Sequence, residues 1–448
     1  MHRLLRICLI ALPALALTGA LPGSARARLA LIRDAEIEHT LKDYATPLLK
    51  AASLDPQAVY IHIVNDQRIN AFVAGGQNIF IFTGLIDKAQ TADQLIGVLA
   101  HEIGHIEGGH LARNLDARNR LSAEQMLTFL LGAAAVIGGG GQAGAAIVAG
   151  GQSISARNYL SFSRAQESTA DQAAATLLER AGISGRGYLE FLDILGDQEM
   201  LLSEQQDPYV RTHPISGDRI ERLRQRVEQA PHYNTPIDPA RQTALKRMQA
   251  KLRAFINRPE KTLEQYPESD NSFPARYARA IAYFRMPELE KAIPILDGLI
   301  GENPRDPYLW ELKGQFYYEN GLIGKSVLPY RQAVALMPDE PLLLLGLGQS
   351  LLAQGTPESI REARGILEKI TGLDPFLPAT WRLLGEAYAR LGQEAMAQFA
   401  SAEYALLTGD RRQALELAKR AARRLPKGSP AWLRNQDIIN YAQKDNNK

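Results

Sequence analysis

Apolar residues recur at helical spacing across residues 30–52, where Leu41, Leu48 and Leu49 stand among charged positions, and this predicts a helix. The pattern then changes period. VYIHIV (59–64), INAFVA (69–74) and NIFIFT (78–83) are β-branched and aromatic runs separated by NDQR and GGQ. They predict a small antiparallel sheet of hairpin-linked strands. TADQLIGVLAHEIGHIEGGHLARNL (91–115) opens on a Thr/Asp cap signal and continues as a strongly apolar helix. The segment 126–154 is almost wholly small and apolar, but GGGG at 138–141 splits it into arms too short to span a bilayer. It reads as a helical hairpin beside the site described below, or as a membrane-touching or substrate-gating loop. Helical spacing resumes over 156–200, a Gly/Pro/charge-rich stretch covers 203–219, and PHYNTPIDPA (231–240) has linker composition.

From about residue 259 helix pairs repeat, punctuated by proline. Pro304 and Pro338 lie 34 apart, Pro338 and Pro375 lie 37 apart, and TPESIRE (356–362) absorbs the excess. Trp310, Gly314, Tyr317, Tyr330 and Ala333 fall at the positions of a tetratricopeptide unit. Gly348 repeats the glycine, and Trp381, Gly385 and Tyr388 repeat all three first-helix positions. A weaker unit carries Ala280, Tyr283 and Ala292, and 394–426 reads as a degenerate last one. Each pair buries its apolar face only against its neighbours, so the units form one solenoid with a concave surface. The fold class expected is therefore mainly α: a helical domain with a small antiparallel β-sheet, followed by an α-solenoid. The boundaries expected are 1–27 for a signal peptide, 28–230 for the first domain, 231–258 for a linker helix region and 259–448 for the repeats.

Composition refines this picture in two places. Arg3 and Arg6 precede an apolar run at 7–21 that is short and broken by Pro13, and Ser-Ala-Arg-Ala (24–27) offers a cleavage site. Such a segment predicts export. Cleavage after Ala27 removes Arg3, Arg6 and Arg26 and no acid, so the net charge passes from +2 to −1, which leaves no electrostatic footprint for nucleic acid. The single cysteine, Cys8, leaves with the same segment, which rules out disulfides and a cysteine-bound metal in the mature chain.

The chemistry concentrates in HEIGHIEGGH (101–110), which holds three of the eight histidines. Positions four apart on a helix differ by about 40° around its axis, so His101 and His105 project side by side and can grip one metal. Glu102 is placed to reach a water rather than the metal. Neutral imidazoles suit Zn2+, which needs a third protein ligand and an open fourth position. His110 is one candidate, but the three-histidine zincin pattern requires its third histidine at position 111, which is Leu111. On a continuing helix His110 would point about 140° from His105. That fits a helix-terminal or supporting role better. The other candidate is Glu167 in ESTAD (167–171), 62 residues beyond His105. Asp171, four residues on, shares its face and can accept the free ring N–H of a ligand histidine. THPISGDRI (212–220) adds His213-Pro214 six residues before Arg219. Arg219 is either part of the site or a salt-bridge partner of a carboxylate such as Asp171.

HExxH, then E-x-x-A-D, then H-P-x-x-x-x-R, together with Asn70-Ala71-Phe72 and NIFIFTGL upstream, resembles the zinc metalloprotease family that includes the CAAX prenyl proteases and HtpX. The resemblance implies a zinc endopeptidase with His101, His105 and Glu167 as metal ligands and Glu102 as general base. It also implies that Asp171 supports a ligand, and that His213 and Arg219 sit at the active site. His213 would either stabilise the transition state or take the fourth metal position and silence the enzyme. Substrate is expected to lie extended along the edge of the 78–83 strand. With export and repeats added, the resemblance implies a periplasmic protein engaging unfolded or misassembled outer-membrane proteins. Its repeats would engage the β-barrel assembly machinery, with peripheral contact to the outer membrane. Two functions follow: degradation of misassembled proteins, or assembly by binding with the protease latent.

Overall fold

The computed structural model describes residues 31–110, 164–196 and 208–444. The expected signal segment and the 126–154 segment lie outside the described residues.

Four strands form one sheet: β1 (Leu31–Ile32), β2 (Tyr60–Val64), β3 (Ala71–Ala74) and β4 (Asn78–Phe82), in the order β1-β2-β4-β3. β3 and β4 are the expected antiparallel hairpin, turned at Gly75 and Gly76, both at positive φ. β2 pairs with β4 in parallel, from Tyr60 opposite Asn78 to Val64 opposite Phe82. The sheet is therefore mixed, which corrects the all-antiparallel expectation. The cause is the 65–70 segment, which is pinned to the far end of β4. Asp66 N–H donates to Thr83 Oγ1 at 3.1 Å, and Asp66 O accepts from Thr83 Oγ1 at 2.9 Å and from Gly84 N at 2.8 Å. That approach needs a glycine: a Cβ at Gly84 would stand 2.1 Å from Gln67 O. The chain then continues past β4 instead of folding back on β2. β4 is interior as a result, and β3 is the edge beside the helices.

α1 (Ala35–Ala51), capped by Asp34, buries Ile37, Leu41, Tyr44, Leu48 and Leu49 against this sheet. After α2 (Thr83–Lys88) comes α3 (Ala92–Glu107), whose cap is Thr91. α3 is buried on all sides from Ala92 to His105, so the sequence shows no polar face there. It ends at Glu107, short of the expected extent, because Gly109 turns the chain at φ +60°. α4 (Arg164–Arg180), α5 (Arg186–Gly196), α6 (Pro208–Thr212) and α7 (Gly217–Glu228) pack around it.

α8 (Pro239–Ile256) belongs to two cores at once. Leu245, Met248 and Leu252 face the sheet-containing core, and Ala250 and Ala254 face the first helices of the repeat region. Those repeats are α9 (Pro259–Gln265), α10 (Phe273–Arg285), α11 (Leu289–Glu302), α12 (Pro307–Glu319), α13 (Ile323–Leu336), α14 (Pro341–Gln354), α15 (Pro357–Leu373), α16 (Pro378–Arg390), α17 (Glu394–Leu407), α18 (Arg411–Ala422) and α19 (Pro430–Lys444). The repeat positions act as their spacing predicts. Trp310 Nε1–H donates to Pro304 O at 3.0 Å, and Trp381 Nε1–H donates to Pro375 O at 2.9 Å, the same contact two repeats apart. Gly314 lets the ring of Tyr330 close on its helix, where a Cβ would stand 2.6 Å away.

A buried ionic cluster joins the two halves. Lys251 Nζ lies 2.8 Å from Asp34 and 3.1 Å from Glu36, with Glu311 at 4.0 Å. Arg247 pairs with Glu36 and Asp306, and Tyr277 OH donates to Glu36 at 2.7 Å. Arg33 reaches Asp374 across the same seam at 3.1 Å. Among the described residues no helix is long and apolar enough to cross a membrane.

Candidate metal centre and active site

α3 presents His101, Glu102 and His105 from the centre of the core, each with no exposed surface. α4 crosses it closely enough to bring Glu167 and Asp171 onto the same spot. The crossing depends on small residues: a Cβ at Gly104 would stand 2.8 Å from Ala170 O, and Ala170 and Ala174 are fully buried. The turn between α6 and α7 adds His213, and the first turn of α7 adds Arg219. The structure thus gathers all seven residues singled out from the sequence, His101, Glu102, His105, Glu167, Asp171, His213 and Arg219.

Four of them converge on one point. His101 Nε2 lies 3.1 Å from His105 Nε2, 3.2 Å from His213 Nδ1 and 3.3 Å from Glu167 Oε2. Glu167 Oε1 lies 3.3 Å from His105 Nε2 and 3.1 Å from His213 Nδ1. Bonds of about 2.0–2.1 Å to a tetrahedral ion set its ligands roughly 3.3–3.4 Å apart. The five separations above, 3.1–3.3 Å, are close to that spacing. Ring nitrogens facing one another at this range repel unless a proton or a cation lies between them. Charge points the same way: Glu102, Glu167 and Asp171 are three buried carboxylates facing one guanidinium, Arg219. A bound cation would offset this excess of negative charge, so the residues present fit a metal ion held by His101, His105, Glu167 and His213.

The surroundings hold this set in place. Asp171 Oδ1 lies 2.9 Å from His101 Nδ1 and accepts from Tyr188 OH at 2.9 Å. Arg219 grips Asp171 with both Nε and Nη2, the latter at 2.8 Å, and places Nη1 2.9 Å from Glu167. Its guanidinium pairs with both carboxylates, so the expected salt bridge to Asp171 forms within the site. Burial works against the charge on Asp171, but the bonds from Arg219 and His101 win and hold its pKa at about 2. Burial alone would lower His101, yet Asp171 and Glu167 raise it to about 9. His105 follows burial, which takes it down to about 3. Glu167 is held well below the usual carboxylate range, because the facing His213, His101 and His105 rings outweigh its burial. Burial pushes Glu102 up, and neither of its oxygens has a hydrogen-bond partner among the described residues; His213 Nε2 lies 3.5 Å from Oε1.

Two residues of the site carried no sequence signal. Tyr188, on α5, holds Asp171, and Tyr209 stacks its ring on His213 at 4.6 Å. Both look like ordinary core aromatics in the chain, and only the packing of α5 against α3 and of α6 against β3 gives them this place. The structure also corrects the expected substrate edge. β4 has neighbours on both sides, so the free edge is β3. The 208–213 segment lies along that edge, with Tyr209 N–H donating to Ile69 O at 3.2 Å and His213 Nε2 lying 3.2 Å from Ala71 O.

A helix bearing two histidines and a glutamate, completed by a glutamate from the neighbouring helix, defines a metalloendopeptidase. Residues 32–227 match the model of peptidase family M48. The whole chain is similar to the beta-barrel assembly-enhancing protease of Yersinia pestis, at 26% identity over 410 residues, covering 90% of this chain and 83% of the relative. It is also similar to the beta-barrel assembly-enhancing protease of Escherichia coli strain K12, at 25% identity over 402 residues, covering 89% and 81%. Among solved structures, MamA AMB-1 matches 37% of this chain and 98% of its own at 18% identity, with a TM-score of 0.32.

Proposed function

We propose that the protein is a periplasmic zinc endopeptidase that acts on misassembled outer-membrane proteins and is held latent by His213 until substrate arrives. The observation that carries this is the four-donor cluster with the unpartnered carboxylate of Glu102 beside it. The donor set, imidazole and carboxylate without sulfur, suits zinc. When bound, zinc would supply Lewis acidity towards a peptide carbonyl and acidify a water. The chain's own residues do the rest. Glu102 accepts a proton from the attacking water and returns it to the departing amine. Asp171 and Arg219 position His101 and Glu167. The edge of β3 receives an extended peptide through Ile69 O and Ala71 O, which suits an unfolded segment better than a folded surface.

Latency rests on a specific contact pattern. His213 takes the fourth corner of the donor set, and the 208–213 segment covers the two carbonyls an added strand would use. The second reading, an assembly factor that works mainly by binding, draws on the same pattern and on the repeat array. Its partners would be the β-barrel assembly machinery and outer-membrane proteins, by similarity to the beta-barrel assembly-enhancing proteases. We place the functional units at 1–27 (export signal), 28–230 (peptidase), 231–258 (joining helix region) and 259–448 (repeats). The two-sided packing of α8 supports the third of these.

Glu102→Gln tests the peptidase: zinc content should survive and cleavage of an unfolded substrate should vanish, and retained cleavage would sink the assignment of the base. Support of outer-membrane protein assembly that outlasts Glu102→Gln favours the binding reading. His213→Ala should raise cleavage; a fall instead would make His213 a catalytic donor.

A further inference from the structure

One buried histidine next to the donor set is still without a role. His110 is 2% exposed, and its Nδ1 lies 2.9 Å from Nδ1 of His105, with the two rings 5.1 Å apart and nearly perpendicular. It stands on the opposite side of His105 from the donor set. A continuing helix would carry it about 140° away. Instead α3 stops at Gly108, Gly109 reverses the chain at φ +60°, and the His110 ring folds back over Gly108. A Cβ at Gly108 would stand 2.5 Å from His110 Nε2 in this arrangement.

A neutral imidazole has one protonated nitrogen. When His105 turns the Nε2 lone pair towards a metal, its proton resides on Nδ1, and a buried N–H needs an acceptor. We propose that His110 is a positioning residue that accepts this proton's hydrogen bond through Nδ1, fixing the tautomer and ring angle of His105. The proposal rests on the metal reading above. His101 has the same service from Asp171 at 2.9 Å. The two ligand histidines are thus held by different acceptors, a carboxylate for one and a neutral imidazole for the other. This explains why a third histidine lies so close behind HExxH without joining the donor set.

The test uses the full-length mature chain, with zinc affinity read by competition against a chromophoric chelator. His110→Ala should weaken zinc binding by about 10–100-fold, and His110→Asn, whose Oδ1 can replace Nδ1, should restore most of it. In the zinc-loaded wild type, with histidine 15N-labelled, a coupling across the hydrogen bond between the two Nδ1 atoms should be observed. An affinity for His110→Ala within about 2-fold of wild type overturns the proposal. So does an Asn variant no better than Ala, or a wild-type spectrum without the coupling. If His110→Ala fails to fold, the Asn variant and the wild-type coupling still decide. Wild-type protein that binds no zinc refutes the metal reading itself, and the coupling measured in that metal-free chain then decides whether His110 holds His105.

Discussion

Replacing Lys251 with methionine should uncouple the repeats from the peptidase half. Lys251 is 3% exposed and reaches across the seam to Asp34, Glu36 and Glu311. At an effective dielectric of 20, contacts of these lengths carry about 4–6 kcal/mol each of gross attraction, most of it offset by the desolvation of the four charged groups. Removing one partner of a buried pair costs about 3–5 kcal/mol, because the other charge stays buried. Glu36 keeps Arg247 and Tyr277, so the expected loss is near the lower figure. Methionine preserves the apolar stem, which keeps packing out of the difference. The chain carries a convenient reporter: Trp310, Trp381 and Trp432 are its only tryptophans and all lie in the repeats. Urea unfolding followed by tryptophan fluorescence therefore reports the repeats, and loss of peptidase activity reports the other half. Wild type should show coincident transitions, and Lys251→Met should separate them.

The same variant predicts a pH dependence. Burial pushes Glu36 up, but Arg247 and Lys251 outweigh it and hold its pKa below the ordinary 4.5. A depressed carboxylate stabilises above its unfolded pKa and loses that contribution as pH falls through the folded value. The stability gap between wild type and Lys251→Met should thus lose the share from Glu311, which burial raises to about 7, as pH falls through 7, and lose the share from Glu36 below pH 4.5. Coincident transitions in the variant, with a stability change under about 0.5 kcal/mol, the range of an ordinary surface substitution, would refute the reasoning.

Three further outcomes are expected. Asp171→Ala removes the acceptor for His101 and leaves Arg219 short of a buried partner, so zinc affinity should fall about 10–100-fold, measured by chelator competition. Stripping the metal with a chelator should lower the unfolding midpoint of the peptidase half by the linkage term for a ligand bound only to the native state, seen as a far-UV circular dichroism transition moving to lower urea. Gly314→Ala drives a Cβ into the Tyr330 ring and should cost about 1–3 kcal/mol of repeat stability by tryptophan fluorescence. Gly324→Ala, which meets nothing within 4 Å, is its control.

Much of the molecule was written in the chain because its signals are local. The repeat positions recur at 34 residues because each helix pair solves the same packing problem, so Trp310 and Trp381 make the same bond. His101, Glu102 and His105 were legible because one helix fixes their relative directions. Glu167 and Asp171 follow the same rule on α4, and the family resemblance linked the two helices. What the chain left out depends on non-local contacts. The strand runs were identified, but their order was not, because the parallel pairing of β2 with β4 is set by bonds from Asp66 to Thr83 and Gly84. That topology moved the open edge from β4 to β3. Tyr188 and Tyr209 entered the site through packing that no spacing encodes.

Residues 101–110 mark the division. The sequence determined that His101 and His105 share a face and that His110 falls off it. Only the folded chain, stopped at Gly108 and reversed at Gly109, decided that His110 returns to His105 from behind. Likewise the sequence offered His213 without a place, and the packing of the 208–213 segment on β3 put it at the fourth corner of the donor set. Periodicity along one helix fixes directions about that helix's own axis. The meeting of a second helix, a strand edge and a turn at one point depends on how each of them is buried, and burial is a property of the whole fold.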